Sequence, residues 1–281
     1  MAFPTKVNYL PEFHESFAQT VSLLSDRCTD GRMDGGISVV FDIADMSGDL
    51  AERGVDGDLP RLNSTDSQVT CTLKEYGGTM RITDFNAFTS QSNEREKMYK
   101  KMMARVNRRM DKVIIAELDN AATQWNSGNA IVMTPALLTD MITELEQGEV
   151  PISPEDVTLL ATPKVRHQLM KSQAYTSSDY VSAKPYEGDQ ATYTNSRKIK
   201  RFLDIGMVFS PLLAGAGSST AKTFLFHRRA VGCAKPSSQL MLTTGFNDEH
   251  HYNYCSSSVK AACKILQSGG ILEIIHDDTA A

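Results

Sequence analysis

Between Asn93 and Trp125 the apolar positions recur every three or four residues, which predicts one long amphipathic helix. Met98, Met102, Val106, Met110, Val113, Leu118, Ala121 and Trp125 form a single stripe, and no Pro or Gly interrupts the run before Gly128. Asn93 suits the N-cap, Glu96 falls three positions on, and Glu94 lies in the first turn, where the helix dipole favours an acid. At about 1.5 Å per residue the helix would be roughly 48 Å long, against an average of about 11–12 residues for helices in general. Such an element crosses a whole small domain. It reads as a spine from which the rest of the chain hangs.

Upstream the period changes to two. Ile37, Val39, Phe41 and Ile43 alternate with Ser38, Val40, Asp42 and Ala44, the pattern of a strand. Residues 45–66 are polar and carry Gly and Pro, and a second alternating run returns through Val69, Cys71 and Leu73 and on past Gly77-Gly78 to Met80 and Ile82. These runs predict a long hairpin. A two-stranded hairpin is marginally stable alone and its open edges invite pairing, so it either folds onto its own domain or lies on a neighbouring molecule. Before it, Phe13–Leu24 predicts a short amphipathic helix, and Asp30–Gly36 reads as loop.

Downstream, Thr134-Pro135 opens a helix that Gly148 ends. A short strand follows at Val157–Leu160, then a helix from Thr162-Pro163 to Lys171. Residues 172–197, rich in Ser, Thr and Tyr, predict an exposed loop. Ile199–Phe209 and Thr223–Val231 predict strands on either side of a Gly-rich connection, and Asn253–Leu266 and Ile271–Ile275 predict two closing strands. The layout is α+β, with a compact insert at about residues 155–235.

Composition narrows the class. The 281 residues suffice for one large domain or two modest ones, and the 41% apolar and 22% charged content is that of a soluble globular chain. A net charge of −5 gives no global basic signal for nucleic acid. No apolar run reaches the roughly 18–20 residues of a membrane span, and the N-terminus lacks the pattern of a signal peptide. Five cysteines without a CxxC pair predict reduced thiols and synthesis in the cytosol.

Candidate chemistry is sparse. The loop from Gly215 to Thr223 has a Gly-rich stretch before Lys222, as a phosphate-binding loop would. However, Ala221 and not Gly precedes the lysine, and a strand-like TFLFH follows where a helix is needed. A nucleotide-binding enzyme using residues 215–223 is thus the weaker reading. His250 and His251 are adjacent and cannot easily chelate together, Cys255 and Cys263 are far apart along one strand, and no zinc spacing or nucleophile motif occurs. No catalytic residue, metal ligand or cofactor is expected. The spine does carry a second stripe, Lys97, Lys101, Arg105, Arg108 and Lys112. It suits DNA phosphates, a neighbouring subunit, or a solvated face paired with acids such as Glu94 and Glu96.

One segment carries a family likeness. Asp56–Ala121 resembles the corresponding stretch of the major capsid proteins of tailed bacteriophages. The characteristic residues are Thr72-Leu73-Lys74-Glu75-Tyr76-Gly77-Gly78, Ile82-Thr83-Asp84-Phe85, Glu94-Arg95 and Asn107-Arg108. The resemblance implies the Hong Kong phage-type capsid fold and a non-enzymatic shell subunit. Its parts would be an N-terminal arm (1–35), an extended hairpin or E-loop (36–90), a P-domain with the spine helix (91–154), an A-domain (155–235) and closing P-domain strands (236–281). It also implies hexamers and pentamers in an icosahedral shell around double-stranded DNA, with a portal, a decoration protein and a scaffolding protein as partners. The virion would be its location after synthesis in the bacterial host cytoplasm. Because the hairpin begins by Ile37, a long N-terminal scaffolding extension is not expected, and any scaffold should be a separate protein. The tip lacks Lys, so covalent crosslinking through it is not expected. Asp56, Leu59, Pro60 and Arg61 at the tip are the expected inter-subunit contacts. An encapsulin-like nanocompartment shell protein is the alternative reading.

Overall fold

The structure is a computed structural model that describes residues 21–44, 50, 66–89, 94–121, 123–125, 131–153, 156–171, 200–202, 205–236 and 241–280. The elements begin with β1 (Thr29–Met33), β2 (Ser38–Ile43), β3 (Ser67–Thr72), β4 (Lys74–Thr83) and the short helix α1 (Asp84–Thr89). The spine helix α2 (Glu94–Ala121) and the two-residue strand β5 (Thr123–Gln124) follow. Then come α3 (Pro135–Gln147), β6 (Val157–Ala161), α4 (Pro163–Lys171), β7 (Lys200–Phe202) and β8 (Ile205–Phe209). The chain closes with β9 (Ala221–His227), β10 (Val231–Pro236), β11 (Met241–Asn247), β12 (Tyr252–Ile265) and β13 (Ile271–His276).

These elements make two main sheets. One runs β5-β13-β9-β6-β8-β7. Its central strands β6 and β9 are buried almost throughout, as near-continuous apolar runs covered on both faces should be. One face packs on α3 and α4 through Leu138, Met141, Leu145, Val165 and Leu169. The Thr134 hydroxyl caps α3 by accepting from the Leu137 N–H, and Pro135 fills the first turn, where its missing donor costs nothing. The other face, through Leu160, Phe224 and Phe226, meets Ile114 and Leu118 of the spine together with Leu24 and Cys28. The second sheet runs β1-β10-β12-β11, with β4 pairing the other side of β12 over ten residues, from Tyr252↔Thr83 to Ala261↔Lys74.

The spine is shorter than its pattern predicted: it ends at Ala121, and Trp125 lies beyond the parallel pairing of β5 with β13, half-buried against the core under α3 and α4. Its buried apolar residues are Met98, Met102, Val106, Met110, Ile114, Ile115 and Leu118, and the predicted Val113 is only half-buried. The spacing explains this. Steps of four residues turn about 400° on a 3.6-residue helix, so the stripe advances about 40° per step and winds by about 200° from Met98 to Leu118. The N-terminal half therefore faces β12 and β4, and the C-terminal half turns to the other sheet. Met98 and Met102 pack with Cys255, Met80 and Ile82, and Val106 and Met110 pack with Val259, Ala261 and Tyr76.

Several local expectations are corrected. Asp30–Gly36 was expected to be loop, but β1 occupies its first part and pairs in parallel with β10. Ile199–Phe209 is not one strand: β7 and β8 form an antiparallel pair. Thr223–Val231 divides at a 3-10 turn, Arg228–Ala230, so that β9 and β10 enter different sheets. Strand β11 was not foreseen, and His250 and His251 sit in the turn after it. Val21–Leu24 do not continue a helix, because the carboxylate of Asp111 draws the backbone N–H groups of Leu23 and Leu24 to itself. The rest of the helix expected from Phe13, the N-cap Asn93, most of the hairpin tip and the tract 172–197 lie outside the described residues.

Candidate assembly surfaces

The hairpin is built from β2 and β3, paired antiparallel from Ser38↔Thr72 to Ile43↔Ser67. Alternation puts Val39 and Phe41 on one face, half-buried against Cys71, Ala234 and Ala262, while Ser38, Val40 and Asp42 face outward. The root is closed by the Leu73 N–H, which donates to the Ile37 carbonyl at 2.8 Å. Phe41 lies over two backbones that carry no side chain. A Cβ at Gly31 would stand 2.6 Å from its ring and one at Gly232 3.0 Å away. Outward, Ile37 is 73% exposed and Val40 is 50% exposed, and β2-β3 is a two-stranded sheet among the described residues. The predicted contact residues Asp56, Leu59, Pro60 and Arg61 lie outside the described residues, so the structure places the root of this surface and not its tip.

The predicted basic face lies along the N-terminal two-thirds of the spine. Lys101, Arg105, Arg108 and Lys112 are exposed and Lys97 is half-buried. None of the four exposed cations is in an ion pair among the described residues, whereas Lys100, one position along, pairs with Glu96 at 3.2 Å. Arg109, beside the stripe, turns over the Tyr76 ring at 4.1 Å. The C-terminal turns of the spine are acidic, an unfavourable sign at the negative end of the helix dipole. Strand lysines offset it: Lys264 reaches Glu117 at 3.2 Å, and Lys222 reaches Asp119 at 2.5 Å and Glu273 at 3.3 Å. The bond to Asp119 is the main reason the Lys222 ammonium is held above the usual lysine range.

Related contacts occupy the polar groups of the Gly-rich loop. Lys222 is engaged by two carboxylates. The Gly217 N–H, the kind of donor a phosphate would need, gives its proton to Asp278 at 2.9 Å. Asp278 in turn accepts from the Thr162 hydroxyl at 2.7 Å and lies 2.8 Å from the buried His276 ring. A neutral His276 satisfies every partner: its Nε2–H donates to Asp278 and its Nδ1 accepts from Thr223 at 3.3 Å. Burial, working against the Asp278 carboxylate, holds His276 below the usual histidine range. These bonds tie the loop to the end of the C-terminal strand and the residues that follow it.

Two features were missed in the sequence. Asp111, buried in the middle of the spine, accepts from the Ser22 hydroxyl at 2.5 Å, the Leu23 N–H at 3.0 Å and the Leu24 N–H at 3.2 Å, fixing the segment that leads into β1. Its only signal was an acid directly following Met110 of the apolar stripe. The other is a meeting of thiols. Cys233 of β10 and Cys263 of β12 are direct cross-strand partners, and neither spacing nor motif announces it. Among the described residues no group of three or more His, Cys, Asp or Glu is placed to hold a metal ion, and no helix is long and apolar enough to cross a membrane.

The hairpin pairs only with itself among the described residues, and the spine joins the two main sheets beneath an exposed basic face, an arrangement suited to a structural subunit. The chain belongs to the phage capsid protein family, whose model matches residues 3–278, and it is a structural major capsid protein of the virion. Solved capsid chains share the fold at low identity. The capsid structure of the cyanophage P-SCSP1u matches with a TM-score of 0.73 and 14% identity, over 96% of this chain and 92% of that one. A chain of Mycobacterium phage Che8 matches with a TM-score of 0.71 and 13% identity over 100% of both. The capsid of cyanophage Pam1 matches with a TM-score of 0.73 and 10% identity, over 99% of this chain and 97% of that one. No curated protein matches the chain in sequence. The α+β fold is thus that of tailed-phage capsids, and family membership implies a structural role and self-assembly into a shell.

Proposed function

We propose that many copies of this chain close, as hexamers and pentamers, into the icosahedral head shell that encloses the double-stranded DNA of a tailed bacteriophage, with no enzymatic step of their own. The observation that carries this reading is the β2-β3 hairpin, anchored at its root by Phe41 and open along its outer edges, with Ile37 and Val40 presented outward. On a neighbouring subunit those edges become contacts, and repeated heterologous contacts closing by symmetry are how one chain type encloses a volume. In this reading residues 1–35 are the arm, 36–90 the E-loop, 91–154 the P-domain with the spine, 155–235 the A-domain and 236–281 the closing strands. The tip residues Asp56, Leu59, Pro60 and Arg61 reach the adjacent subunit. Lys97, Lys101, Arg105, Arg108 and Lys112 face the packaged DNA and meet it without base specificity. A separate scaffolding protein, a portal and a decoration protein complete the assembly, made in the host cytoplasm.

Deleting residues 50–62 tests the central claim. The subunit should keep its circular dichroism and unfolding transition but yield no shells by negative-stain electron microscopy, with scaffolding protein present. Normal particles from the deletion would refute the hairpin's role. Native particles that hold a cargo protein and no DNA would instead support the compartment reading.

A further inference from the structure

Three of the five cysteines meet at the junction of the two sheets. Cys28 ends the segment leading into β1, Cys233 lies on β10 and Cys263 on β12. In the antiparallel register Cys233 stands directly opposite Cys263. Their Sγ atoms are 2.7 Å apart, well inside van der Waals contact and a little beyond a disulfide bond of about 2.05 Å. Directly opposed antiparallel residues have Cα atoms about 4.5–5.5 Å apart, within the range of roughly 4.4–6.8 Å that disulfides span. The backbone therefore needs no movement to accept the bond. Cys28 belongs to the same cluster, and its thiol meets both the Leu24 carbonyl at 3.8 Å and the Cys233 thiol, but it is the cross-strand partner of neither Cys233 nor Cys263. Cys71 and Cys255, also buried, have other surroundings: Cys71 lies under the hairpin root and Cys255 under Met98 and Met102 of the spine.

We infer that Cys233 and Cys263 are a redox modification site, a dithiol that a small-molecule disulfide converts into a cross-strand disulfide tying β10 to β12. The partly exposed Cys263 meets the reagent first. Its thiolate attacks one sulfur of oxidised glutathione, forms a mixed disulfide and releases one glutathione thiolate. Cys233 then attacks the Cys263 sulfur, closes the protein disulfide and releases the second glutathione. Two protein thiols are oxidised and one glutathione disulfide is reduced to two thiols. The Cys263 contact, with burial, holds the Cys233 thiol above the usual range, so it stays protonated and inert until the mixed disulfide lies against it. The bond would close a loop from residue 233 to 263, joining the exit of the predicted A-domain to the closing strand beneath the spine. Under reducing conditions the junction stays a dithiol, and under oxidising conditions it becomes a covalent staple. This chemistry belongs to the single subunit and stands or falls apart from its role in a shell.

The test uses the full chain, purified under reducing conditions, then exposed natively to oxidised glutathione, denatured and alkylated with N-ethylmaleimide. We expect three alkylated cysteines, an intact mass lighter by two hydrogens before alkylation, and a proteolytic peptide pair joining Cys233 to Cys263. The unfolding midpoint should rise by roughly 5–10 °C over the reduced chain. Cys28→Ser should form the same bond and Cys255→Ser should behave as the natural chain, whereas Cys263→Ser should show no bond and no shift. Five alkylated cysteines, a glutathione adduct that stays on Cys263, or a linked pair other than Cys233 and Cys263 would overturn the proposal. The peptide map is made on the natural chain, so the result survives even if a variant fails to fold.

Discussion

Asp111 is the residue on which the entry to the fold turns. A carboxylate taken out of water must be repaid in hydrogen bonds, and at 1% exposure Asp111 accepts from the Ser22 hydroxyl and from the N–H groups of Leu23 and Leu24. Asp111→Ala would leave buried N–H donors without their acceptor. The expected loss is about 2–4 kcal/mol of unfolding free energy, read by urea denaturation at unchanged m-value. A loss below about 0.5 kcal/mol would mean that water satisfies the segment equally well. A second expectation follows from His227 and His276, both held by burial below the ordinary histidine value of 6.5. The unfolded chain takes up these protons first, so the contribution of these two histidines is level above about pH 6.5 and stability falls as pH drops through it, toward the lower folded values. The slope should approach at most about 1.4 kcal/mol per pH unit for each histidine. His227→Gln should flatten it in a denaturation series between about pH 5 and 8, and an unchanged slope would acquit that residue. None of these roles was legible in the sequence. Asp111 and Leu23 are 88 positions apart, and Cys233 and Cys263 are 30 apart, so only the folded chain brings them together.

At the scale of elements, the sequence was readable where a single element decides its own pattern. Helices α3 and α4, strand β6 and the alternation of β2 follow from caps and periodicity. Strands β1 and β11 escaped because each carries a glycine where an aromatic ring needs the space. Phe41 sits on Gly31, and the Tyr254 ring would stand 2.8 Å from a Cβ at Gly245. Local propensity reads such glycines as loop, and tertiary packing overrides it. Gly31→Ala tests this directly. The methyl group must displace the Phe41 ring or the β1 backbone, with an expected destabilisation of about 1–3 kcal/mol, and limited proteolysis should cut faster between Ser38 and Thr72. Cleavage at the natural rate would show that Phe41 does not hold the hairpin root.

For the whole molecule, the spine's winding stripe is what makes two sheets one subunit, and it turns one exposed face away from both. The chain carries a net charge of −5, yet this face presents Lys101, Arg105, Arg108 and Lys112 with no ion-pair partner among the described residues. Water solvates such a surface in the single subunit, and repeated across a shell it becomes an array of cations suited to phosphate, each pairing releasing counterions. The triple change Lys101→Gln, Arg105→Gln and Arg108→Gln should leave subunit stability within about 0.5 kcal/mol, since all three side chains are exposed. Shells should still form, and the salt dependence of their binding to double-stranded DNA should flatten by about 0.9 in log-log slope for each phosphate no longer neutralised. If the slope does not change, the face does not meet phosphate. If shells fail to form while the subunit unfolds at its natural midpoint, the same cations belong to the interface between neighbours, and DNA must be held elsewhere.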